Sequence, residues 1–206
     1  REVQDELALA SHRNLAAAWD RGFFDDLVTP YLGVTRDTNM RADSTLESLA
    51  KLSPVFGRGL SAEPTMTAGN STPLTDGAST VLLSSEDWAA AQGLEPLAYL
   101  VDAEAAAVDF VGGHEGLLMA PAYAVPRLLA RNGLTFADFD VFEIHEAFAS
   151  TVLTHLAAWE SEEFCRTRLG LDAPLGSIDR AKLNPNGSSL AAGHPFAATG
   201  GRIVAP

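Results

Sequence analysis

Apolar residues Val3, Leu7, Ala10, Leu15 and Ala18 recur at roughly helical spacing and predict an amphipathic helix over residues 2–19, ending near Gly22. Residues 29–64 mix Arg36, Asp37, Arg41, Asp43 and Ser44 with several Pro and Gly residues. They predict an irregular excursion with one short helix over 45–52. A small-residue turn follows at 67–73, then an apolar run at 78–83 suited to a buried strand, then a helix over 85–92. A second strand is expected at 97–101, a glycine-rich loop at 111–116, and a helix over 119–131 that stops at Gly133. Residues 139–144 alternate as a strand that runs directly into His145-Glu146, after which Phe148, Val152, Leu156 and Trp159 mark one face of a helix. Residues 160–179 form an acidic and basic stretch, 184–194 are rich in Gly, Ser and Asn, and Pro195 sits where a helix begins. There is no short-period repeat. Strands alternating with helices predict an α/β sheet covered by helices on its faces.

Composition narrows the functional classes. The chain has 206 residues, 47% apolar and 20% charged, which is enough for one or two globular domains. No apolar run reaches the roughly 20 residues that span a bilayer, and the first residues lack a signal peptide's basic start and apolar stretch, so a soluble, cytoplasmic protein without a transmembrane segment is expected. The chain opens on Arg1 rather than Met and finishes at 202–206 without a polar tail, so both ends read as cut. A formal charge of −13 disfavours a nucleic-acid partner, and any anionic ligand must be held by local charge. One cysteine, Cys165, rules out an internal disulfide and a cysteine-rich zinc site, and no metal is expected.

Three segments carry candidate chemistry. In Gly193-His194-Pro195, Pro195 suits a first helical turn and puts His194 at the cap, where the helix dipole disfavours imidazolium and leaves a neutral base. The competing reading is a capping histidine in a tight turn. In His145-Glu146-Ala147-Phe148-Ala149, a histidine and backbone N–H groups at a strand end can hold a water or a carbonyl oxygen as negative charge develops. Otherwise Glu146 only complements the dipole. Ala68-Gly69-Asn70-Ser71-Thr72 can line a narrow channel, or be no more than a turn. His12 lies on a polar helix face and is expected to be solvated, His155 to be a hydrogen-bonded core residue, and His114 sits in a glycine loop without a fixed role. Acids and arginines flank Cys165 without a net push toward thiolate.

In order and spacing these segments resemble the thiolase family over nearly the whole chain. His145 to Ala149 looks like its Asn/His-Glu-Ala-Phe-Ala motif, and Asn186-Gly187 through Gly193-His194-Pro195 to Gly200 looks like its Asn-Gly-Gly…Gly-His-Pro…Gly signature. Ala68-Gly69-Asn70 with Asp76-Gly77-Ala78 looks like its Ala-Gly-Asn…Asp-Gly-Ala segment. The resemblance implies an α/β thiolase fold, two similar halves packed as five layers (αβαβα), present here incompletely. Residues 1–72 would be the later part of a coenzyme A-covering loop domain, 73–96 the end of the first half, and 97–206 most of the second half, lacking its last strands.

It also implies acyl transfer between 3-ketoacyl-CoA or acetyl-CoA and coenzyme A through a cysteine acyl-enzyme, as in fatty-acid β-oxidation or acetoacetyl-CoA formation. His194 would activate the thiol and His145 would hold the water that completes an oxyanion hole. Arg41 and Ser48 match positions that meet the nucleotide end of coenzyme A, Thr72 stands near the pantetheine, and Met119 and Phe148 match the acyl channel. Coenzyme A is a substrate, with no permanently bound cofactor. The expected assembly is a homodimer or homotetramer, with a fatty-acid oxidation complex as a candidate partner. The nucleophilic cysteine matches nothing in these residues, so the chain alone should be inactive. A non-catalytic thiolase-like subunit binding acyl-CoA or lipid, and another condensing enzyme of the same fold, are the alternatives.

Overall fold

Helix α1 (Glu2–Asp20) buries Asp5, Ala8, Leu9, Ser11, His12, Leu15, Ala16 and Ala18. The buried face therefore lies one step round from the one predicted, because Val3 and Ala10 are exposed. Polar residues can occupy it because each has a partner: Asp5 pairs with Arg1 Nε at 2.7 Å and accepts Asn70 Nδ2 at 2.9 Å. His12 accepts the backbone N–H of Arg41 at Nδ1, 3.2 Å away. It is buried rather than solvated, and that burial, with the Arg41 charge beside it, lowers its pKa.

A computed structural model describes residues 1–206 except Leu60 and His114, so the glycine-loop histidine lies outside the described residues. Helix α2 (Leu46–Ala50) opens on a capping box between Thr45 and Ser48 and buries Leu49. α2 and the 3-10 turn Ala68–Asn70 both pack against α1. Helices α3 (Glu86–Ala91) and α4 (Pro121–Asn132) follow, α4 ending on Gly133 in the left-handed conformation, as its sequence predicted. Helix α5 (Ala149–Glu160) buries Val152, Leu156 and Trp159 as expected, while Phe148 is its N-cap and not part of the helical stripe. The acidic and basic stretch contains a helix that periodicity does not reveal, α6 (Glu162–Arg168). Its two glutamates stand in the first turn and its arginines in the last, complementing the dipole. Short helices α7 (Ser189–Ala192) and α8 (Thr199–Val204) close the chain, with a 3-10 turn at Phe196–Ala198 before α8.

The main core gathers around α5: Val152, Leu156 and Trp159 meet Leu129, Phe136, Ile178 and Leu183. Trp159 Nε1 donates to Ala122 O at 3.3 Å and joins α5 to α4. His155 Nε2 donates to Leu118 O at 2.8 Å, the core role expected of it. Cys165 is fully buried, its Sγ directed at the carbonyl oxygens of Ala158 and Trp159.

The predicted strands depart most from expectation. Among the described residues, β pairing occurs only as isolated bridges, such as Phe142 with Leu183 (parallel), Leu74 with His194 (parallel) and Ser71 with Phe148 (antiparallel). Residues 78–83 and 97–101 pair with no neighbour in a ladder. They leave Leu82, Leu83, Leu97, Leu100 and Val101 largely exposed. A strand depends on a neighbour for its hydrogen bonds and for cover on its faces, and apolar pattern alone supplies neither.

Two glycines with similar backbone angles separate strain from packing. Gly133 (φ +64°) has open space where a Cβ would project, whereas at Gly187 (φ +73°) a Cβ would stand 2.5 Å from Ser11 O and 2.6 Å from Leu15 Cβ. Gly133→Ala should cost only the left-handed penalty of about 1–2 kcal/mol. Gly187→Ala should cost more by a further ~1–3 kcal/mol of overpacking against α1. Urea unfolding midpoints of the two variants check this; equal losses would show that α1 yields freely at Gly187.

Candidate active site

The segment leading to His145 is held by a side chain that replaces backbone. Phe142 N donates to Lys182 O and Asn184 N to Phe142 O, both at 2.8 Å, and there the backbone pairing stops. Asn184, at φ +46°, continues it with its amide: Oδ1 accepts Ile144 N at 2.7 Å and Nδ2 donates to Ile144 O at 3.0 Å. The same Nδ2 donates to Glu146 Oε1 at 2.8 Å. Glu146 is fully buried, and its other oxygen accepts Ser11 Oγ at 2.7 Å and Leu190 N at 3.1 Å. It stands before the Phe148 cap, so it pins α1, the Asn184 loop and α7 together rather than merely complementing α5.

His194 arrives from the other side. Its N–H donates to Pro73 O at 2.8 Å, fixing it beside residues 73–77, and its Nδ1 lies 2.7 Å from Thr199 Oγ1. Close approach requires glycine on both strands of this contact: a Cβ on Gly193 would meet Thr75 Cγ2 at 2.7 Å, and one on Gly77 would meet Pro195 at 2.9 Å. His194 is not at a helix cap. Pro195, with ψ 45°, is the residue that precedes the 3-10 turn, and α8 begins only at Thr199. Backbone pairing and the Thr199 hydroxyl, not a helix dipole at the cap, position this imidazole.

The rings of His145 and His194 lie side by side, centroids 4.4 Å apart and planes inclined by 41°, with Phe196 4.9 Å from His194. Thr72 joins them: its N–H donates to Ala147 O at 3.0 Å and its hydroxyl to Ser189 O at 2.6 Å. Phe148 is bridged to Ser71 and packs edge-on against Phe56 at 5.4 Å. The remaining expected residues stand elsewhere. Arg41 is exposed beside α1, and Ser48 is exposed in α2 with its hydroxyl engaged in the cap. Met119 packs against Ala122 and Ala158.

The model of the thiolase N-terminal domain fits residues 1–87, and that of the thiolase C-terminal domain fits residues 94–206. The chain belongs to the thiolase family. It is 46% identical over 210 residues to a 3-ketoacyl-CoA thiolase of Pectobacterium atrosepticum, covering 99% of this chain and 47% of that protein. Among solved structures it superimposes on the acetyl-CoA acetyltransferase of Bacillus anthracis with a TM-score of 0.78 at 35% identity, covering 99% of this chain and 48% of that one. It also superimposes on the dimeric peroxisomal thiolase of Saccharomyces cerevisiae with a TM-score of 0.78 at 33% identity, covering 100% and 47%. The chain thus has the thiolase fold and spans about half the length of the relatives it matches. No described helix is long and apolar enough to cross a membrane.

Around the two histidines of this thiolase chain, burial dominates the electrostatics. Burial, then His194, then Arg202 lower the pKa of His145 to about 4. Burial raises Glu143 to about 7 against the pull of Arg202, and pushes Glu146 up despite its three donors. Arg202 is itself lowered by burial, while Glu143, Glu146 and Asp37 favour its charge. Its Nη2 donates to Ser189 Oγ at 3.0 Å and Ser188 Oγ at 3.2 Å. Sequence reasoning missed Asn184, Ser188, Ser189 and Arg202 individually. The available signals were the Ser and Asn density of 184–189 and one arginine set between Gly201 and Ile203.

Two outcomes follow from these contacts. Every neighbour of the Glu146 carboxylate is a donor, so Glu146→Gln sets an amide NH2 against Asn184 Nδ2 or Leu190 N. A loss of about 1–3 kcal/mol is expected, measured by urea unfolding at pH 8, and an unchanged midpoint would mean the network tolerates a donor. For pH, folded His145 stays neutral while the unfolded ring protonates between about 6.5 and 4, so its contribution is present above 6.5 and is lost as pH falls to 4. Glu143 acts oppositely: its contribution is present below 4.5 and is lost as pH rises through about 7. Glu143→Gln should therefore make stability rise more steeply between pH 5 and 7 than in the parent. Identical pH profiles of the unfolding midpoint would show that Glu143 has no raised pKa.

Proposed function

We propose that the complete protein containing this chain is a thiolase acyltransferase, which exchanges acyl groups between 3-ketoacyl-CoA or acetyl-CoA and coenzyme A through a cysteine acyl-enzyme. The supporting observation is the pairing of His145 and His194 at 4.4 Å, with the hydroxyls of Thr72, Ser189 and Thr199 around them. In the degradative direction His194 takes the proton of a cysteine thiol, and the thiolate attacks the ketone carbon. The bond between the α and β carbons then breaks, and the acetyl-CoA carbanion takes up a proton. A second coenzyme A thiol attacks the acyl-enzyme and releases the shortened acyl-CoA. His145, directly or through a water, donates to the oxygen that gains charge in these steps.

The attacking thiol comes from sequence outside this chain. Cys165, sealed between α5 and α6 with its Sγ on two backbone carbonyls, does not serve. In the same reading residues 1–72 cover coenzyme A, 73–96 end the first half and 97–206 form most of the second, with the bare apolar edges at 78–83 and 97–101 paired to strands of the remaining sequence. Arg41 and Ser48 meet the nucleotide end of coenzyme A. Ser48 does so through the hydroxyl lone pair left by its cap. Thr72 borders the pantetheine, and Met119 and Phe148 line the acyl channel. The protein works as a homodimer or larger homo-oligomer in the cytoplasm.

In the complete protein, His194→Ala should lower kcat for acetoacetyl-CoA thiolysis by about 10²–10⁴-fold, while Cys165→Ser leaves it unchanged. Steady-state kinetics on both variants test this. Full activity in the His194 variant, or loss on changing Cys165, would overturn the assignment.

A further inference from the structure

Two serines side by side accept hydrogen bonds from one guanidinium nitrogen and face the residue that bears His145. Arg202 can only donate, so its Nη2 occupies a lone pair on Ser188 Oγ (3.2 Å) and one on Ser189 Oγ (3.0 Å). Each hydroxyl proton is thereby turned away from the arginine. Ser188 Oγ donates its proton to Ile144 O at 3.2 Å, holding the backbone just before the imidazole. Ser189 Oγ lies 2.6 Å from His145 Nδ1. If Nδ1 carried the proton, Ser189 would accept twice and its own hydrogen would have no partner in a buried place. If Nδ1 is bare, the Ser189 hydroxyl accepts from Arg202 and has an acceptor for its own hydrogen.

We infer that Ser189, oriented by Arg202, fixes His145 as the tautomer protonated at Nε2, so that the ring presents an N–H donor to the reacting oxygen and cannot compete with His194 for the thiol proton. Ser189 and Arg202 are positioning residues. The assignment deepens the proposed thiolase function and rests on it only for its effect on rate. It accounts for two neighbouring imidazoles having different duties: one donates by virtue of the serine, the other remains the base. The pKa of His145, pulled down by burial, then His194, then Arg202, agrees with a ring that stays neutral and so keeps one nitrogen bare. The titratable groups facing this assembly are Arg202, His194, Glu143, Glu146 and Asp37.

The test uses the complete protein labelled with 15N histidine, with a His145→Gln variant to assign the resonances. At pH 7 the expected spectrum shows Nδ1 of residue 145 unprotonated and Nε2 protonated. Ser189→Ala should give a mixture of tautomers, and Ser189→Thr should restore the single form. For acetoacetyl-CoA thiolysis, Ser189→Ala should lower kcat about tenfold or more with KM within about twofold, and Ser189→Thr should recover most of it, a modest share of the usual contribution of a positioned proton donor. A protonated Nδ1 in the parent overturns the assignment, as does a tautomer indifferent to Ser189→Ala. The predicted spectra with an unchanged kcat in Ser189→Ala overturn the positioning role. The predicted spectra in a complete protein with no thiolysis at all refute the proposed function instead and leave the tautomer assignment standing.

Discussion

A carboxylate with no access to water persists only where donors replace the hydration it has lost, and Glu146 sets that requirement for this chain. Its three donors come from α1 (Ser11), from the loop before α7 (Asn184) and from the backbone of α7 (Leu190). Satisfying one side chain therefore brings together three parts of the chain remote in sequence, and the bond from Ser188 N to Ser11 Oγ, which spans 177 positions, completes the cluster. Both histidine segments hang from this cluster. His145 immediately precedes Glu146, and His194 follows α7, whose first turn the carboxylate holds.

The charges around the histidines form one system. Arg202 stands among Glu143, Glu146 and Asp37, which favour its charge against the cost of burial. Burial first, then His194 and last that cation keep His145 neutral, and the cation moderates the rise of the neighbouring carboxyls. A buried charge is tolerable when surrounded by partners, and here the partners also select which nitrogen of an imidazole carries hydrogen. Structure and chemistry thus share the same few hydrogen bonds.

The apolar segments that join no ladder among the described residues are the counterpart of this ordered corner. Residues 78–83 and 97–101 have strand composition, yet Leu82, Leu83, Leu97 and Val101 face solvent in a chain about half the length of its relatives. Helices close their backbone hydrogen bonds within themselves and so form wherever periodicity and caps agree. Strands take theirs from elsewhere.

That difference explains what was legible. Helices α1, α4 and α5, the Gly133 stop and the three motifs that carry the family could be read from the chain alone, because these depend on neighbours a few positions away. That reading mistook His12 for a solvated residue, since the backbone N–H of Arg41 that satisfies it lies 29 positions along. It gave Glu146 a local part, since the three donors that make it central are distant in the chain. It put His194 at a helix cap, where in the fold Pro73 and Thr199 hold it instead. That two histidines 49 positions apart in number meet at 4.4 Å became visible in the fold alone, because side-chain chemistry is written locally while the donors, acceptors and cover that give it a role arrive from remote sequence.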